Sequence, residues 1–356
     1  MFDVMIIGAG PSGATLARLI GKGCKVLLLD KRQLLDASLR KTFEKCCGGL
    51  IAPDAQHMLA TLGLGVPKEV LVGPQLFTVR TIDMQNSIER YYQRHYINVD
   101  RESFDQWMVK LIPEEVDIRC GCLFKRYEEE NGRFKVSYIQ NGKEYVEYAN
   151  LLVGADGAAS TLRKQAFPGE STPKLYASIQ EWLKVDNALP YFSSIFDSEI
   201  TDFYSWTIPK EDSLLVGTAI PYGDDVWGKF NLLKDKLSSY GYNLGESIKT
   251  KGAFIYRPTK LEQICPGSGR IALIGEAAGW ISPSSAEGMS YSMRSALALA
   301  QSLENGLEAF AADYKKNTAS LRRNILIKNL KSPFMYNPII RKTVMKSGLL
   351  SMEIKG

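Results

Sequence analysis

The chain contains few histidines and no cysteine spacing typical of a zinc site. Its 356 residues include only two histidines, His57 and His95, and neither Cys46–Cys47 nor Cys120–Cys122 has the spacing of zinc ligands. We therefore expect no metal site. The Cys120–Cys122 pair fits one face of a strand and is interpreted as core. Adjacent cysteines bond to each other only with backbone distortion, so the six cysteines are expected to be thiols.

Long apolar runs are also missing. No stretch approaches the ~18 apolar residues that a membrane-spanning helix requires, and the amino terminus MFDVMIIGAG carries no basic leader. We therefore expect a cytoplasmic protein. The hydrophobic fraction of 45% and the charged fraction of 23% are typical of globular proteins, and the length allows two domains.

The net charge of +5 is unevenly distributed along the chain. From Asp313 onward ten Lys or Arg stand against two acidic residues. We interpret residues 313–356 as a basic helical tail that is either solvated or in contact with an anionic membrane surface. The localisation expected in the second case is peripheral, at the inner face of the membrane. No nucleic-acid partner is expected.

A glycine motif opens the chain. The buried run Val4–Ile7 is followed by GAGPSG, then by the helical stretch Ala14–Ile20 and by a second strand that ends in Asp30. In this context G-x-G-x-x-G predicts a dinucleotide site whose phosphates lie at the helix N-terminus, with the acid on a ribose. The motif alone does not separate NAD from FAD. The residues predicted to bind the dinucleotide here are Gly8, Gly10, Pro11, Ser12, Gly13, Asp30 and Lys31.

Two later motifs favour FAD. LLVGADGAASTLRK and RIALIGEAAGWISPSSAEGMSYSM each contain a strand, a glycine turn and a helix. With the first motif, in this order, they resemble the flavoprotein group of p-hydroxybenzoate hydroxylase, in which the D-G and G-D motifs complete the FAD site. Glu276 stands where that group usually has Asp. The resemblance implies further FAD contacts at Arg101, Asp156, Gly157, Arg163, Gly275, Glu276, Pro283, Glu287, Gly288 and Met289.

The middle of the chain is rich in aromatic residues. Ten of the 52 residues from Tyr176 to Trp227 are Phe, Tyr or Trp, and FYSWTIP and LLVGTAI alternate as antiparallel strands do. We interpret this region as a substrate-binding sheet with an aromatic face, the alternative being an ordinary sheet core. No second dinucleotide fingerprint follows, so the electron donor is either a transiently bound NAD(P)H or a protein.

Four stretches narrow the family. CCGGLIAPDAQ, YINVDRESFDQWMVKLIP, YSWTIPK and LIGEAAGWISPSSAEGMSYSM resemble the geranylgeranyl reductase family of FAD-dependent oxidoreductases, and most closely a bacterial branch of it. The resemblance implies FAD-dependent reduction of carbon–carbon double bonds in a polyprenyl or similar apolar substrate. It places the C-G-G turn against the flavin, with Cys46 packed. The residues implied at the cofactor or substrate are Lys45, Cys47, Gly48, Gly49, Tyr204 and Trp206, of which Cys47, Tyr204 and Trp206 are the predicted catalytic residues.

Two other functions fit the same pattern. An FAD-dependent monooxygenase or halogenase acting on an aromatic compound shares this fold, and YSWTIP also resembles a halogenase motif. A lipid-binding flavoprotein with vestigial redox chemistry is the third hypothesis. Whether Cys47 donates a proton or only lines the pocket stays open, because a thiol in apolar surroundings is a weak acid.

The predicted fold class is α/β, α+β overall, with a Rossmann-like FAD-binding domain of the p-hydroxybenzoate hydroxylase type. The FAD domain is predicted to be discontinuous, over residues 1–75, 96–165 and 262–312. An inserted antiparallel sheet, over 76–95 and 166–261, is predicted to bind the substrate.

Overall fold

The structure is a computed structural model that describes residues 1–35, 46–186, 189–307 and 310–355. The strands among these residues are β1 (Phe2–Ile7), β2 (Val26–Asp30), β3 (Leu50–Ile51), β4 (Leu76–Asp83), β5 (Ile88–Asn98), β6 (Asp117–Cys120), β7 (Cys122–Glu130), β8 (Arg133–Gln140), β9 (Lys143–Gly154), β10 (Lys174–Lys184), β11 (Phe192–Phe196), β12 (Ser205–Lys210), β13 (Ser213–Pro221), β14 (Ser247–Arg257), β15 (Gly267–Ser268) and β16 (Ile271–Leu273). The helices are α1 (Pro11–Ile20), α2 (Pro53–Thr61), α3 (Arg101–Lys110), α4 (Thr161–Ala166), α5 (Val226–Ser239), α6 (Met289–Leu303), α7 (Phe310–Asn317), α8 (Ala319–Tyr336) and α9 (Pro338–Ser347).

The chain divides into two compact units. Unit 1 comprises Met1–Glu44, Glu102–Lys174 and Tyr256–Lys328, and unit 2 comprises Lys45–Arg101, Leu175–Ile255 and Asn329–Gly356. These units are cut at different places from the predicted domains. Residues 45–75, predicted with the FAD domain, fall in unit 2, where β3 pairs antiparallel with β5. The predicted tail is divided between the two units.

Unit 1 is built on a mainly parallel sheet in the order β15-β16-β9-β1-β2-β6. Strands β9, β1 and β2 run parallel, and β7 and β8 extend the sheet as an antiparallel pair. The central strands are continuous apolar runs, such as VMII in β1 and VLLL in β2, because both faces of a parallel sheet are covered. The carboxyl ends of β1, β9 and β16 therefore lie at one edge, where ligands bind in sheets of this kind.

Unit 2 is built on a second sheet in the order β14-β10-β13-β12-β11-β4-β5-β3. Strands β4 and β5 belong to it, as the alternation of FTVRTID and SIERYYQR indicates. One face packs against α5, whose buried Phe230, Leu233 and Leu237 join a cluster with apolar residues of the sheet. Side chains alternate across a strand, so the residues between those cluster members point to the other face, which we call the open face.

The carboxyl-terminal residues are anchored to unit 2. Arg341, in α9, pairs with Asp83 at 2.7 Å, and both side chains are buried. The Met352 N–H donates to the carbonyl oxygen of Tyr91 at 2.8 Å. Residues 329–355 are thus held against the sheet rather than extending as a separate tail. None of the helices in the described ranges is long and apolar enough to cross a membrane.

Candidate functional site

Three glycine turns meet at the edge of the unit 1 sheet. Gly8, after β1, has φ of +106°, and a Cβ there would lie 2.5 Å from the carbonyl oxygen of Ala155, after β9. Gly275, after β16, has φ of +55°, and its Cβ would lie 2.7 Å from Ser12 Oγ. Side chains at either glycine would force these turns apart. The three motifs that are far apart in sequence therefore form one continuous rim.

The first turn leads directly into a helix. Gly10 is the N-cap of α1 and Pro11 is its first residue, a position where proline's missing N–H costs nothing. A Cβ on Gly13 would lie 1.9 Å from the Gly8 carbonyl oxygen, whereas a Cβ on Gly10 would meet no atom of the described residues within 4 Å. Gly13 thus serves close packing, and Gly10 leaves open space in front of the N-terminal N–H groups. Such a helix N-terminus can bind phosphate.

Asp30 holds the first turn in place. Its Oδ2 accepts a hydrogen bond of 2.6 Å from the Ala9 N–H, and its Oδ1 accepts one of 3.0 Å from Arg32 Nε. Arg32 Nη1 in turn donates to Asp105 Oδ2 at 2.7 Å. The carboxylate predicted to bind a ribose is therefore already engaged by protein donors, while the neighbouring Lys31 is exposed. Arg32 was missed, although it lies only two residues after the acid in DKR.

The second turn leaves one oxygen without a partner. Asp156 Oδ2 accepts from the Thr161 N–H at 2.8 Å at the start of α4. Its Oδ1 is inaccessible to solvent and has no hydrogen-bond partner among the described residues. Burial raises the pKa of this carboxyl group, against hydrogen bonds that lower it. Gly157 follows with φ of +81° and open space around it. Oδ1 is thus a buried acceptor at the rim.

Arg163 braces the rim from behind. The side chain is 1% exposed, and its guanidinium donates at 2.9 to 3.1 Å to the carbonyl oxygens of Ser171, Gln263 and Ala277. Nη1 donates to one of these carbonyl oxygens and Nη2 donates to the other two. Arg163 therefore helps to position the Gly275 turn, and its contact with the cofactor stays a prediction.

The third turn is held by hydrogen bonds within unit 1. The Gly275 N–H donates to Ser295 Oγ at 2.9 Å, and Glu276 Oε1 accepts from the Tyr256 N–H at 3.0 Å. The Pro283 carbonyl oxygen accepts from Arg257 Nε at 3.1 Å. Glu276 thus ties the turn to the end of β14.

The loop after this turn ends in a capped helix. Gly288 is the N-cap of α6 and Met289, which is buried, is its first residue. Both Glu287 carboxylate oxygens accept from Ser290, one from its N–H and one from its hydroxyl, each at 2.7 Å. The predicted cofactor residue Glu287 therefore satisfies an N–H of the first turn of α6.

The C-G-G turn of unit 2 crosses the open face. Cys46, which is buried, has its Sγ 3.4 Å from the Lys251 carbonyl oxygen. A Cβ on Gly48 would lie 2.5 Å from Ile208 Cδ1, and Gly49 has φ of +64°. Glycine is required at position 49, where a Cβ would lie 2.2 Å from the Val99 carbonyl oxygen, and Gly48 brings the turn close to β12. Cys46 packs as expected, and Cys47, half-buried, lies between these contacts.

The two predicted aromatic residues stand beside this turn. The rings of Tyr204 and Trp206 have centroids 5.4 Å apart, and Trp206 is 5% exposed. Burial raises the pKa of the Tyr204 phenol, and the charges of Tyr96 and Cys47 raise it further. Tyr204 is therefore a neutral phenol at physiological pH. The predicted catalytic residues Cys47, Tyr204 and Trp206 all lie in unit 2.

A buried lysine completes this group and was missed. Lys210, at the end of β12, is 9% exposed, and its Nζ donates to Asn98 Oδ1 at 2.5 Å and to the Val99 carbonyl oxygen at 2.8 Å. Neither acceptor carries a charge. Burial lowers the pKa of the amine from 10.5 to about 7. The signal was present in YSWTIPK, where Lys210 follows Trp206 and Ile208 at the alternation of one face.

Two predicted residues belong to neither group. Lys45 lies outside the described residues. Arg101 is buried and begins α3. The structure therefore brings the predicted contacts of the three motifs together in unit 1, and the residues of the C-G-G turn together with Tyr204 and Trp206 in unit 2.

The relatives of the chain identify its family. No protein-family model matches it. "Protein CbrA" of Escherichia coli O9:H4 (strain HS) is 39% identical over 348 residues, which are 98% of this chain and 94% of that protein. The chain belongs to the CbrA family. "Protein CbrA" of Shigella dysenteriae serotype 1 (strain Sd197) is also 39% identical, over 98% of this chain and 97% of its own. The CbrA relatives confirm the bacterial branch predicted from the sequence.

Solved structures share the fold of this CbrA-family chain. A geranylgeranyl bacteriochlorophyll reductase-like protein from Thermoplasma acidophilum has a TM-score of 0.71 at 18% identity, over 99% of this chain and 88% of its own. PqsL of Pseudomonas aeruginosa, described as "a probable FAD-dependent monooxygenase", has a TM-score of 0.70 at 16% identity, over 98% of this chain and 99% of its own. CmlS, a flavin-dependent halogenase, has a TM-score of 0.69 at 14% identity, over 93% of this chain and 63% of its own. The predicted p-hydroxybenzoate hydroxylase-type fold is confirmed.

Proposed function

We propose that this CbrA-family protein is an FAD-dependent oxidoreductase that reduces carbon–carbon double bonds of a polyprenyl or similar apolar substrate. The observation that carries FAD binding is the rim formed by three separate glycine turns at the carboxyl ends of β1, β9 and β16. On this rim, the part of the chain that the structure describes leaves space in front of Gly10 and gives Asp156 Oδ1 no hydrogen-bond partner.

The residues of the rim fit the parts of FAD. The N–H groups at the start of α1 would bind the pyrophosphate, which Gly10 allows to approach. Asp156 Oδ1, buried and without a partner among the described residues, would accept a hydrogen bond from a hydroxyl of the cofactor. When bound and reduced by an electron donor, FAD supplies the hydride for the reduction. The electron donor is NAD(P)H or a protein.

The residues of the open face would bind the substrate and supply the proton. Tyr204, Trp206 and Ile208 offer apolar surface, and each buried CH₂ of a prenyl chain would contribute about 0.8 kcal/mol. Reduction of an alkene needs a proton at the second carbon. Lys210 is suited to supply it because its pKa of about 7 lets the amine exchange a proton near neutral pH. Cys47, beside it on the C-G-G turn, then lines the pocket.

The test is a turnover experiment without oxygen. The flavin-loaded protein is reduced chemically, a polyprenyl lipid is added, and flavin absorbance and lipid mass are followed. Reoxidation of the flavin with a gain of two hydrogens per double bond supports the proposal. The variant K210M is expected to slow reoxidation by about 10²- to 10⁴-fold, the usual size of a general acid's contribution. K68M, which replaces an exposed lysine of unit 2, is the control for K210M and should react as wild type does. A flavin that stays reduced with unchanged lipid would refute the proposal.

A second candidate is oxygen-dependent chemistry on an aromatic compound. The likeness to PqsL and CmlS supports it as much as the likeness to the reductase-like protein supports reduction. This candidate predicts that air rapidly reoxidises the reduced flavin and that oxygen or halogen is incorporated into an aromatic product.

We also propose that the carboxyl-terminal part of unit 2 contacts anionic membrane surfaces. Ile339 is 77% exposed and Leu350 is 85% exposed, and the nearby Lys342 and Lys346 are exposed as well. Apolar side chains beside lysines favour an anionic bilayer surface. In sedimentation with phosphatidylserine vesicles, K342E/K346E is expected to bind at least about tenfold more weakly than wild type. The control K143E, at the exposed start of β9 in unit 1, should bind as wild type does. Equal binding by all three proteins would contradict the proposal.

A further inference from the structure

Three residues form a straight row across the open face. Gly217, in β13, lies opposite Gln180 of β10 and opposite Trp206 of β12 in the registers of the two antiparallel pairs. Directly opposed residues point to the same side of a sheet. Gln180 and Trp206 therefore lean over Gly217 from its two neighbouring strands.

Each of these two side chains has a polar atom without a partner. Gln180 is 2% exposed and Trp206 is 5% exposed. Within the described ranges, Gln180 Oε1 and Trp206 Nε1 make no hydrogen bond although both are shielded from solvent. A native protein rarely leaves a buried donor and a buried acceptor unsatisfied. The row therefore offers one N–H donor and one oxygen acceptor to a bound molecule.

The two side chains lie close to each other. A Cβ built on Gly217 would lie 2.5 Å from Trp206 Nε1 and 2.8 Å from Gln180 Cγ. Both atoms thus surround the same point, and any side chain at position 217 would occupy the space between them. Glycine at this position lets both side chains lie against β13, with the indole N–H and the amide oxygen still without a partner among the described residues.

The surroundings of the row are apolar and beside the C-G-G turn. Ile208, 2% exposed, and Leu215, fully buried, are the next opposed pair on the same face. The turn reaches Ile208 through Gly48 and the Ser178 hydroxyl through Cys46 Sγ, at 3.9 Å. Cys47 lies between these two contacts. The polar pair is therefore next to the proposed substrate site.

We infer that Gln180 and Trp206 bind a hydroxyl group of the substrate, which makes that substrate an apolar alcohol or phenol. A hydroxyl oxygen accepts from the indole N–H, and its hydrogen is donated to the amide oxygen, so one group satisfies both partners. A diphosphate matches the pair poorly because the amide oxygen would repel its negative charge. An ether can accept but cannot donate, and a hydrocarbon can do neither.

The inference deepens the proposed function, on which it rests for the location of the substrate. Its test measures binding to the flavin-loaded protein without a reductant, so turnover does not enter. Equilibrium dialysis gives the Kd of four probes: farnesol, its methyl ether, farnesene and farnesyl diphosphate. Wild type is expected to bind farnesol about 5- to 100-fold more tightly than the ether, and the ether more tightly than farnesene.

Two variants separate the two hydrogen bonds. Q180M removes the acceptor at similar volume, so it should abolish the preference for farnesol over the ether. W206F removes the donor but keeps an aromatic ring, so it should abolish the preference for the ether over farnesene. W182F makes the same substitution two residues from Gln180 on β10 and should leave both preferences unchanged.

The outcomes distinguish this inference from the reductase proposal. Equal wild-type affinities for farnesol and the ether, tightest binding of the diphosphate, or unchanged preferences in Q180M and W206F would overturn the hydroxyl site. None of these results bears on whether reduced flavin saturates a double bond. A clear preference for farnesol together with no double-bond reduction would support the hydroxyl site and refute the reductase.

Discussion

Replacing Lys210 by methionine is expected to remove a pH dependence of the stability of unit 2. The amine is 9% exposed and donates to Asn98 Oδ1 and to the Val99 carbonyl oxygen, neither of which is charged. Burial lowers its pKa from 10.5 to about 7. The unfolded chain therefore binds more protons than the folded one between these two values, and the free energy of unfolding rises with pH across that window.

The magnitude follows from the size of the shift. Each pKa unit corresponds to about 1.4 kcal/mol, so between pH 6 and pH 9 the Lys210 contribution should rise by about 2 to 3 kcal/mol in favour of the folded state. K210M lacks this contribution. The difference between wild-type and K210M unfolding free energies should therefore shift toward wild type by that amount as the pH rises.

Urea unfolding at pH 6, 7.5 and 9, followed by tryptophan fluorescence, measures this difference. K68M, which replaces an exposed lysine of unit 2, is the matched control and should differ from wild type by the same amount at every pH. A difference between wild type and K210M that stays constant from pH 6 to pH 9 would show that Lys210 keeps an ordinary pKa, and the role proposed for it would fail.

Other substitutions test the rim and the carboxyl-terminal anchor. Gly8→Ala should lower both Tm and the flavin absorbance that the purified protein retains, because φ is +106° at this position and a Cβ would clash with Ala155. Gly10→Ala should leave Tm unchanged, because the added Cβ clashes with none of the described residues, but it should weaken FAD binding about tenfold or more. Arg163→Met should cost about 3 kcal/mol or more in urea unfolding, since three carbonyl oxygens lose their donor. Arg341→Met should cost about 3 to 5 kcal/mol at pH 7, because it leaves the buried Asp83 carboxylate unpaired. Burial raises the pKa of Asp83, but hydrogen bonds and the charge of Arg341 bring it below its ordinary value, so this cost should shrink as the pH falls through the acid range. A cost of Arg341→Met that is equal at pH 7 and pH 4 would contradict the pairing.

The turns of unit 1 could be predicted because glycine acts locally. The tight turn at Gly8 and the close packing at Gly13 follow from the spacing of G-x-G-x-x-G, and the structure shows both. The partners of polar side chains could not be predicted, since they depend on tertiary contacts. Arg163 finds its acceptors up to 114 residues away, and Asp30 is engaged by Arg32, which also needs Asp105.

The open face of unit 2 likewise contains residues that the sequence could place and residues that it could not. Alternation within one strand was sufficient to place Tyr204 and Trp206 on the same side, and their rings are in contact. Gln180 enters the same row only through the registers of β10 with β13 and of β13 with β12. A shift of one residue would turn it to the opposite face, and nothing in the local sequence fixes that register. The alternation in YSWTIPK places Lys210 on the same face, but only its burial in the structure shows that its pKa is lowered.

The two candidate reactions require opposite protonation states of Lys210. Reduction of an alkene needs the ammonium form, which donates a proton, so its rate should fall as the pH rises through about 7. Oxygenation of a phenol needs the neutral amine, which accepts the hydroxyl proton, so its rate should rise through the same pH. In both cases K210M should flatten the profile at a low rate. Since Gln180 and Trp206 would bind a prenyl alcohol and a phenol equally well, the direction of this pH dependence separates the reactions where the fold and the hydroxyl site do not.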